Sequence, residues 1–373
     1  MSNILDYIEA YGHLNFEEKP PTDVDYVIFS QFGHIDMACD KDAGQTLREC
    51  AQNLLFDENA DSLGLILPKE IVPAFRLAAS KVRYGDIRAV YPRNLVDEDK
   101  ESHFAAVTLV LDKNKRCIIF NGTGDTIIGW KENFLMIYRY PVTAQSLAAE
   151  YLNEICKGYR GDITVAGHSK GGNLAIYAAS QCDKSIQKRI KRVFSFDGPG
   201  FCSDFYNSGG YRLIADRVTE LVPQNAVIGK LFEHSGKFTV IRSGQAGLYQ
   251  HDCFSWEVRG DSFVFLDDIE DAAKDTDHAV KEIINSLDEE RRKLLVEALF
   301  SLFNCSDCDT LTKLSRNKRG ILKNYTQLKG KSRRLLNLVF LRILRDKNLR
   351  KLLSESVKVM INQNKTRAKS NDK

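Results

Sequence analysis

The sequence predicts an α/β fold: a mainly parallel central sheet with helices on both faces, followed by a helical C-terminal region. Three observations carry this. Residues 161–173, Gly-Asp-Ile-Thr-Val-Ala-Gly-His-Ser-Lys-Gly-Gly-Asn, read as strand, sharp turn and helix start. Apolar, β-branched runs alternate with helical segments up to about residue 265, the pattern of parallel strands buried on both faces. Beyond that point the strand signals stop. The expected division is therefore 1–265 for the α/β domain, its first ~100 residues an α-rich opening, and 266–373 for a helical, C-terminally basic region.

Taken in order, Tyr26-Val27-Ile28-Phe29-Ser30 is either a first strand or the start of a buried helix. Residues 104–111 are apolar throughout, and Cys117-Ile118-Ile119-Phe120 follows the turn Asp112-Lys113-Asn114-Lys115, which makes a hairpin. Residues 143–157 place Leu147, Ala148, Tyr151, Leu152 and Ile155 on one helix face. Strands are expected at 163–166, 193–196, 218–222 and 238–241, with a helix over 173–180. Ser286 and Glu289 form a capping box ahead of Leu294, Leu295, Ala298, Leu299 and Phe303. A last helical stretch, 331–362, carries Leu335, Leu336, Val339, Phe340, Ile343 and Leu344 in a single apolar stripe, and only the final ten or so residues read as disordered.

Composition fits a globular chain. Hydrophobic residues make up 43% and charged residues 28%, enough to fill a core and cover it. No apolar run reaches the length of a transmembrane helix. Met1-Ser2-Asn3-Ile4-Leu5-Asp6 lacks the basic and apolar regions of a signal peptide, and nine cysteines without framework spacing favour free thiols. A cytoplasmic location is expected. Cys305-Ser306-Asp307-Cys308 is a lone C-x-x-C, read as two ordinary cysteines after a helix. The net charge of +3 conceals an asymmetry: from Lys313 onward there are about 19 basic and about 3 acidic residues.

Gly167-His168-Ser169-Lys170-Gly171 is a G-x-S-x-G set between strand and helix, the nucleophile elbow of α/β-hydrolases. A serine hydroxyl needs a base, and in this fold the partners follow in the order serine, acid, histidine. Downstream lie only His234, His251 and His278. His278 sits in a polar helix start, and His234 follows an expected helix at 231–233. His251, in a loop after the last strands, is the expected base. For the acid, Asp197 in Phe196-Asp197-Gly198-Pro199-Gly200 ends the strand after the elbow helix, where a turn-forming role is equally open. The more usual acid position falls near Val222-Pro223-Gln224-Asn225, which offers only the amide of Asn225; Glu233 is a third candidate. The oxyanion donors are expected to be the backbone N–H of Lys170, at a helix start, and Thr123 in Phe120-Asn121-Gly122-Thr123, through its N–H or its hydroxyl.

Phe120 to Thr123, Gly129-Trp130-Lys131-Glu132-Asn133-Phe134 and Gly167 to Asn173 resemble the class 3 (triacylglycerol) lipases. With Phe196-Asp197-Gly198-Pro199-Gly200-Phe201, Gln250-His251-Asp252 and Ser255-Trp256 added, the chain is similar to the Mbeg-like family of lipase-like α/β-hydrolases, found largely in bacteria. The likeness runs from about Asp6 to about Arg292. It implies Ser169 as nucleophile, His251 as base, and Thr123 with Lys170 at the oxyanion. Two departures stand out: Asn121 where lipases carry arginine, and Asn225 where they carry aspartate.

These features imply a serine hydrolase acting on lipid or other small carboxylic esters through an acyl-enzyme, with no metal or organic cofactor. The alternative is a non-catalytic lipase-like binding protein. The mixture of basic and apolar residues over 329–350 suits either packing against the body or contact with an anionic membrane, with no specific nucleic-acid partner expected.

Overall fold

The computed structural model describes residues 2–37, 44–54, 63–64, 66–305 and 308–358. Among the described residues, five short helices come first: α1 (Ile4–Tyr11), α2 (Asp23–Phe32), α3 (Leu47–Asn53), α4 (Ile71–Ser80) and α5 (Val82–Gly85). The run around Tyr26 is thus helical; α2 is buried almost all round, so its apolar residues show no single stripe. The α-rich opening holds strands as well, β1 (Gln45–Thr46) and β2 (Arg88–Asp97). In β2, Pro92, Arg93 and Asn94 mask the strand pattern, and the register slips between Val90 and Arg93.

Next come β3 (Ser102–Asp112) and β4 (Lys115–Phe120), the expected hairpin, then α6 (Ile127–Leu135) and α7 (Thr143–Ile155). The elbow joins β5 (Asp162–His168) to α8 (Lys170–Gln181), and α9 (Lys184–Gln187) leads into β6 (Ile190–Phe196). After α10 (Ser203–Asn207) and α11 (Gly209–Arg212) follow β7 (Val218–Pro223), β8 (Thr239–Ile241), a small ribbon of β9 (Val258–Arg259) with β10 (Ser262–Phe263), and β11 (Phe265–Leu266).

Nine of these strands form one sheet in the order β1-β2-β3-β4-β5-β6-β7-β8-β11. β4 through β8 are parallel, with antiparallel pairs at both edges. Alternate side chains feed two cores, one per face. Cys117, Ile119, Ala166, Phe194 and Phe196 pack with α2 and α4, while Ile118, Phe120, Val165 and Val193 pack with α7 and α8. Because both faces are covered, the strands read as unbroken apolar runs. This is the α/β-hydrolase fold, and it brings the C-terminal ends of β4, β5 and β6 side by side.

Past β11 the described elements are helical: α12 (Asp271–Asn285), α13 (Glu289–Phe303), α14 (Leu311–Arg316), α15 (Lys318–Gln327), α16 (Gly330–Arg345) and a further run at 347–358. The cap of α13 is Asp288, whose carboxylate accepts from the Arg291 N–H at 2.8 Å; Ser286 instead closes α12. Residues 306–307 of the C-x-x-C and 359–373, which include the end of the expected last helix and the expected disordered tail, lie outside the described residues. Among the described residues, no helix is long and apolar enough to cross a membrane.

Candidate active site

β5 ends at His168, and the chain reverses into α8 through Ser169, whose φ of +58° is a conformation L-residues rarely hold. Only a crossing without side chains permits this turn: a Cβ on Gly167 would sit 2.2 Å from the Gly171 backbone, and one on Gly171 2.1 Å from the Phe120 carbonyl oxygen. The Ser169 N–H donates to the Phe196 carbonyl at 2.9 Å, which ties the turn to the end of β6.

Asp197 follows immediately on β6, also at positive φ (+47°), and its side chain is 1% exposed. Its Oδ1 accepts from the Gly229 N–H at 3.0 Å, an approach that a side chain at Gly229 would block. Its Oδ2 lies 2.6 Å from Nδ1 of His251. A carboxylate at Nδ1 holds the proton there and leaves Nε2 as the acceptor. Nε2 takes no partner among the described residues, and the ring remains 26% exposed. The Gly198-Pro199-Gly200 turn is gripped from below: Asn173 Nδ2 donates to the carbonyls of Pro199 and Gly200, and Gln145 donates to Asn173 Oδ1 at 2.8 Å.

His251 ends a 3-10 turn over Gly247–His251. The fully buried Trp256 donates its indole N–H to the Gln250 carbonyl at 2.9 Å, and Gln250 Oε1 accepts from the Asn225 N–H at 3.0 Å. His168 packs its ring against the His251 ring, centroids 4.4 Å apart, and Nε2 donates to the His251 carbonyl at 2.9 Å. A carbonyl only accepts, so His168 carries its proton on Nε2. Burial and the adjacent His251 push its pKa well below the usual histidine value, which keeps the ring neutral.

On the other side of Ser169 runs the loop after β4. A Cβ on Gly122 would fall 2.8 Å from the His168 carbonyl oxygen and 3.3 Å from Ser169 Cβ, so Gly122 allows this loop to lie against the serine. Thr123 is nearly buried, and its hydroxyl is bound to the Asn133 side-chain amide at 2.7 and 3.1 Å. That leaves its N–H as the available donor. Lys170 is the first residue of α8, so its N–H has no intrahelical acceptor. Its side chain is buried: Nζ donates to Glu132 Oε2 at 2.5 Å and to the His103 carbonyl at 2.8 Å. Burial lowers the lysine pKa, and the Glu132 carboxylate works against that. Glu132 also accepts from the N–H groups of His103 and Ala144. Through Glu132 and Asn133, α6 therefore holds both Lys170 and the Thr123 loop.

The remaining candidates lie apart from this cluster. Glu233 is exposed and pairs through its backbone with Phe201. His234 follows no helix; residues 231–233 form an irregular turn, and its Nδ1 lies 3.2 Å from the buried Glu220. The Asn225 side chain binds Glu270, and Asn121 donates to the Gly33 carbonyl. His278 is exposed within α12 rather than at its start. Sequence reading missed His168, Glu132, Asn133 and Gly229. His168, Glu132 and Asn133 stood inside quoted motifs, but only the fold brings their partners into contact.

Comparison with curated proteins gives no match. Solved structures similar to the chain include the native propeptide complex of Rhizomucor miehei lipase, at 14% identity and TM-score 0.35, covering 59% of this chain and 70% of that one. M37 lipase is 15% identical with TM-score 0.36, covering 56% and 70%. Lipase II from Rhizopus niveus is 14% identical with TM-score 0.35, covering 60% and 83%. The Mbeg1-like family matches residues 78–301, more than half of the chain and a span that holds Thr123, the elbow, Asp197 and His251; the chain belongs to the Mbeg1-like family.

Proposed function

We propose that the protein is a serine hydrolase cleaving carboxylic esters through an acyl-enzyme on Ser169. The observation that carries this is the 2.6 Å contact of Asp197 with His251 Nδ1 at the strand ends that also bear the strained Ser169 turn. In this reading Ser169 Oγ attacks the ester carbonyl and His251 Nε2 takes its proton. The buried Asp197 carboxylate stabilises the imidazolium that forms. The oxyanion of the tetrahedral intermediate accepts from the N–H groups of Lys170 and Thr123, and the start of α8 adds its dipole there. His251 then protonates the leaving alcohol, and in the second half it activates the water that frees the acid.

With Asp197 against His251, the amide at Asn225 no longer argues for a protein that binds without catalysis. Lipid and other acyl esters suit the class 3 lipase-like motifs. Labelling with a fluorophosphonate tests the reading. Wild type is expected to carry one adduct on Ser169, and Ser169→Ala none. Folded wild type that stays unlabelled and leaves p-nitrophenyl esters intact sinks the proposal.

A further inference from the structure

The C-terminal helix α16 carries two apolar stripes where a packed surface helix needs one. Leu335, Val339 and Ile343 form the inner stripe, packing with Ile283 of α12, Leu294 and Leu295 of α13, and Leu287 in the turn between those helices. On the opposite side Leu338, Phe340, Leu341 and Leu344 are 46%, 57%, 47% and 39% exposed. The expectation of a single stripe through Phe340 and Leu344 is corrected accordingly: those two side chains belong to the outer set.

Charge says what covers this outer face. Arg334, Leu338, Leu341 and Arg345 stand at i, i+4, i+7 and i+11, a single line along the helix. Among the described residues neither arginine has a carboxylate partner, and nor have Arg333, Lys347 and Arg350. A second copy of the chain would set like charges against each other across a self-complementary contact. Nucleic acid would satisfy the arginines but leave four large apolar side chains in water. An anionic bilayer meets both demands, with acyl chains for the leucines and phenylalanine and headgroup phosphates for the arginines.

The same segment reaches both sides of the site. Asp309 and Leu311 exchange backbone hydrogen bonds with Ile127 and Asp125, just after the Thr123 loop. At the other side Ser356 Oγ accepts from the Leu248 N–H at 3.1 Å, in the turn that ends at His251. We propose that the outer face of α16 docks the protein on an anionic lipid bilayer, with the segment that carries it bound to the loops of Thr123 and His251.

Co-sedimentation of the full chain with vesicles tests this. Binding is expected to vesicles of mixed phosphatidylglycerol and phosphatidylcholine, falling at high salt, and not to pure phosphatidylcholine. Combined Leu338→Ser, Leu341→Ser and Leu344→Ser should weaken it at least about tenfold. If that variant unfolds, Arg334→Glu with Arg345→Glu makes the same test through charge. Wild type left in the supernatant, or variants that sediment as well as wild type, overturn the proposal. So does light scattering that shows a dimer lost in the leucine variant, or DNA retention, where vesicles are not bound. Ser169→Ala should sediment like wild type, so a failed hydrolase reading and a failed docking reading are distinguishable.

Discussion

Asp25 and Asp197 are both buried carboxylates, yet one is closed and the other is left open. Asp25, on α2, accepts from Arg83 Nε and Nη2 at 2.8 and 2.7 Å, from the hydroxyls of Tyr84 and Tyr7, and from the Thr22 N–H. Arg83 spends its remaining donors on the carbonyls of Leu14, Lys19 and Pro20. Every member of that network is satisfied inside it, so it can only hold helices together. Asp197 takes two donors, Gly229 N–H and His251 Nδ1–H, and the histidine's second nitrogen has no partner among the described residues. A structural ion pair ends its hydrogen bonds internally, whereas a site for chemistry keeps one in reserve.

The sharpest break of this comparison exchanges the consequences of the same substitution. Asp197→Asn is expected to lower kcat/KM by about 10⁴, as the loss of the acid does in comparable triads, with the unfolding midpoint in urea nearly unchanged. Asp25→Asn is expected to lose about 3–5 kcal/mol of stability, because it strands the buried Arg83 charge, while activity per folded molecule stays at the wild-type level. If Asp25→Asn instead abolishes turnover in folded protein, the division between closed and open sites is wrong.

Next in size is Gly122→Ala. The added methyl falls 2.8 Å from a backbone oxygen and so must displace the Thr123 loop or the serine. Loss of one oxyanion donor predicts a fall in kcat of about 10², with KM nearly constant. A purely structural role would instead lower stability and leave kcat of the folded fraction alone.

Much of this arrangement was legible in the chain, and the limits are physical. The elbow is readable because its glycines, serine and flanking strand and helix are contiguous, so local sterics write the motif. Asp197 remained one of three candidates, beside the amide of Asn225 and the acid Glu233, since the contact with His251 spans 54 positions and no spacing rule fixes it. The ion pair of Glu132 with Lys170 went unread, because single-sequence patterns do not record that the two side chains are buried against each other. In β2, Pro92 and Arg93 hid a strand next to the sheet edge, where the register also slips. The outer stripe of α16 is mixed with the inner one in sequence and separates only once α13 covers one side.

A smaller effect follows from the histidines around the site. Burial pushes His34 and His103 down to about 4, the nearby Lys170 adding to the shift of His103, and His168 lies well below its usual value. Between about 4 and about 6.5 the unfolded chain binds protons that the folded chain refuses, so stability is complete above 6.5 and is lost as pH falls. Each such histidine contributes about 1.4 kcal/mol per pH unit in that window. Asp252, pushed up to about 7 by burial, has the opposite sign and offsets roughly one of them. Urea unfolding between pH 6.5 and pH 4 should therefore show stability falling as pH falls, by at least about 1.4 kcal/mol per unit from His34 and His103 less Asp252, with His168 adding in the same direction. A flat profile would contradict the neutral histidines.

The finest distinction concerns which atom of Thr123 would face the oxyanion in the proposed mechanism. Its hydroxyl is engaged by Asn133 at 2.7 and 3.1 Å, the kind of closed pairing that marks Asp25, whereas its N–H, like the open nitrogen of His251, has no acceptor among the described residues. Thr123→Val keeps the shape and the N–H but removes the hydroxyl. It is expected to cost about 1 kcal/mol of stability for the lost hydrogen bond and to change kcat by less than about threefold. Asn133→Ala should behave alike, because it too breaks only the closed pair. A fall of two orders of magnitude in kcat for Thr123→Val would assign the donor to the hydroxyl and make Asn133 the residue that aims it.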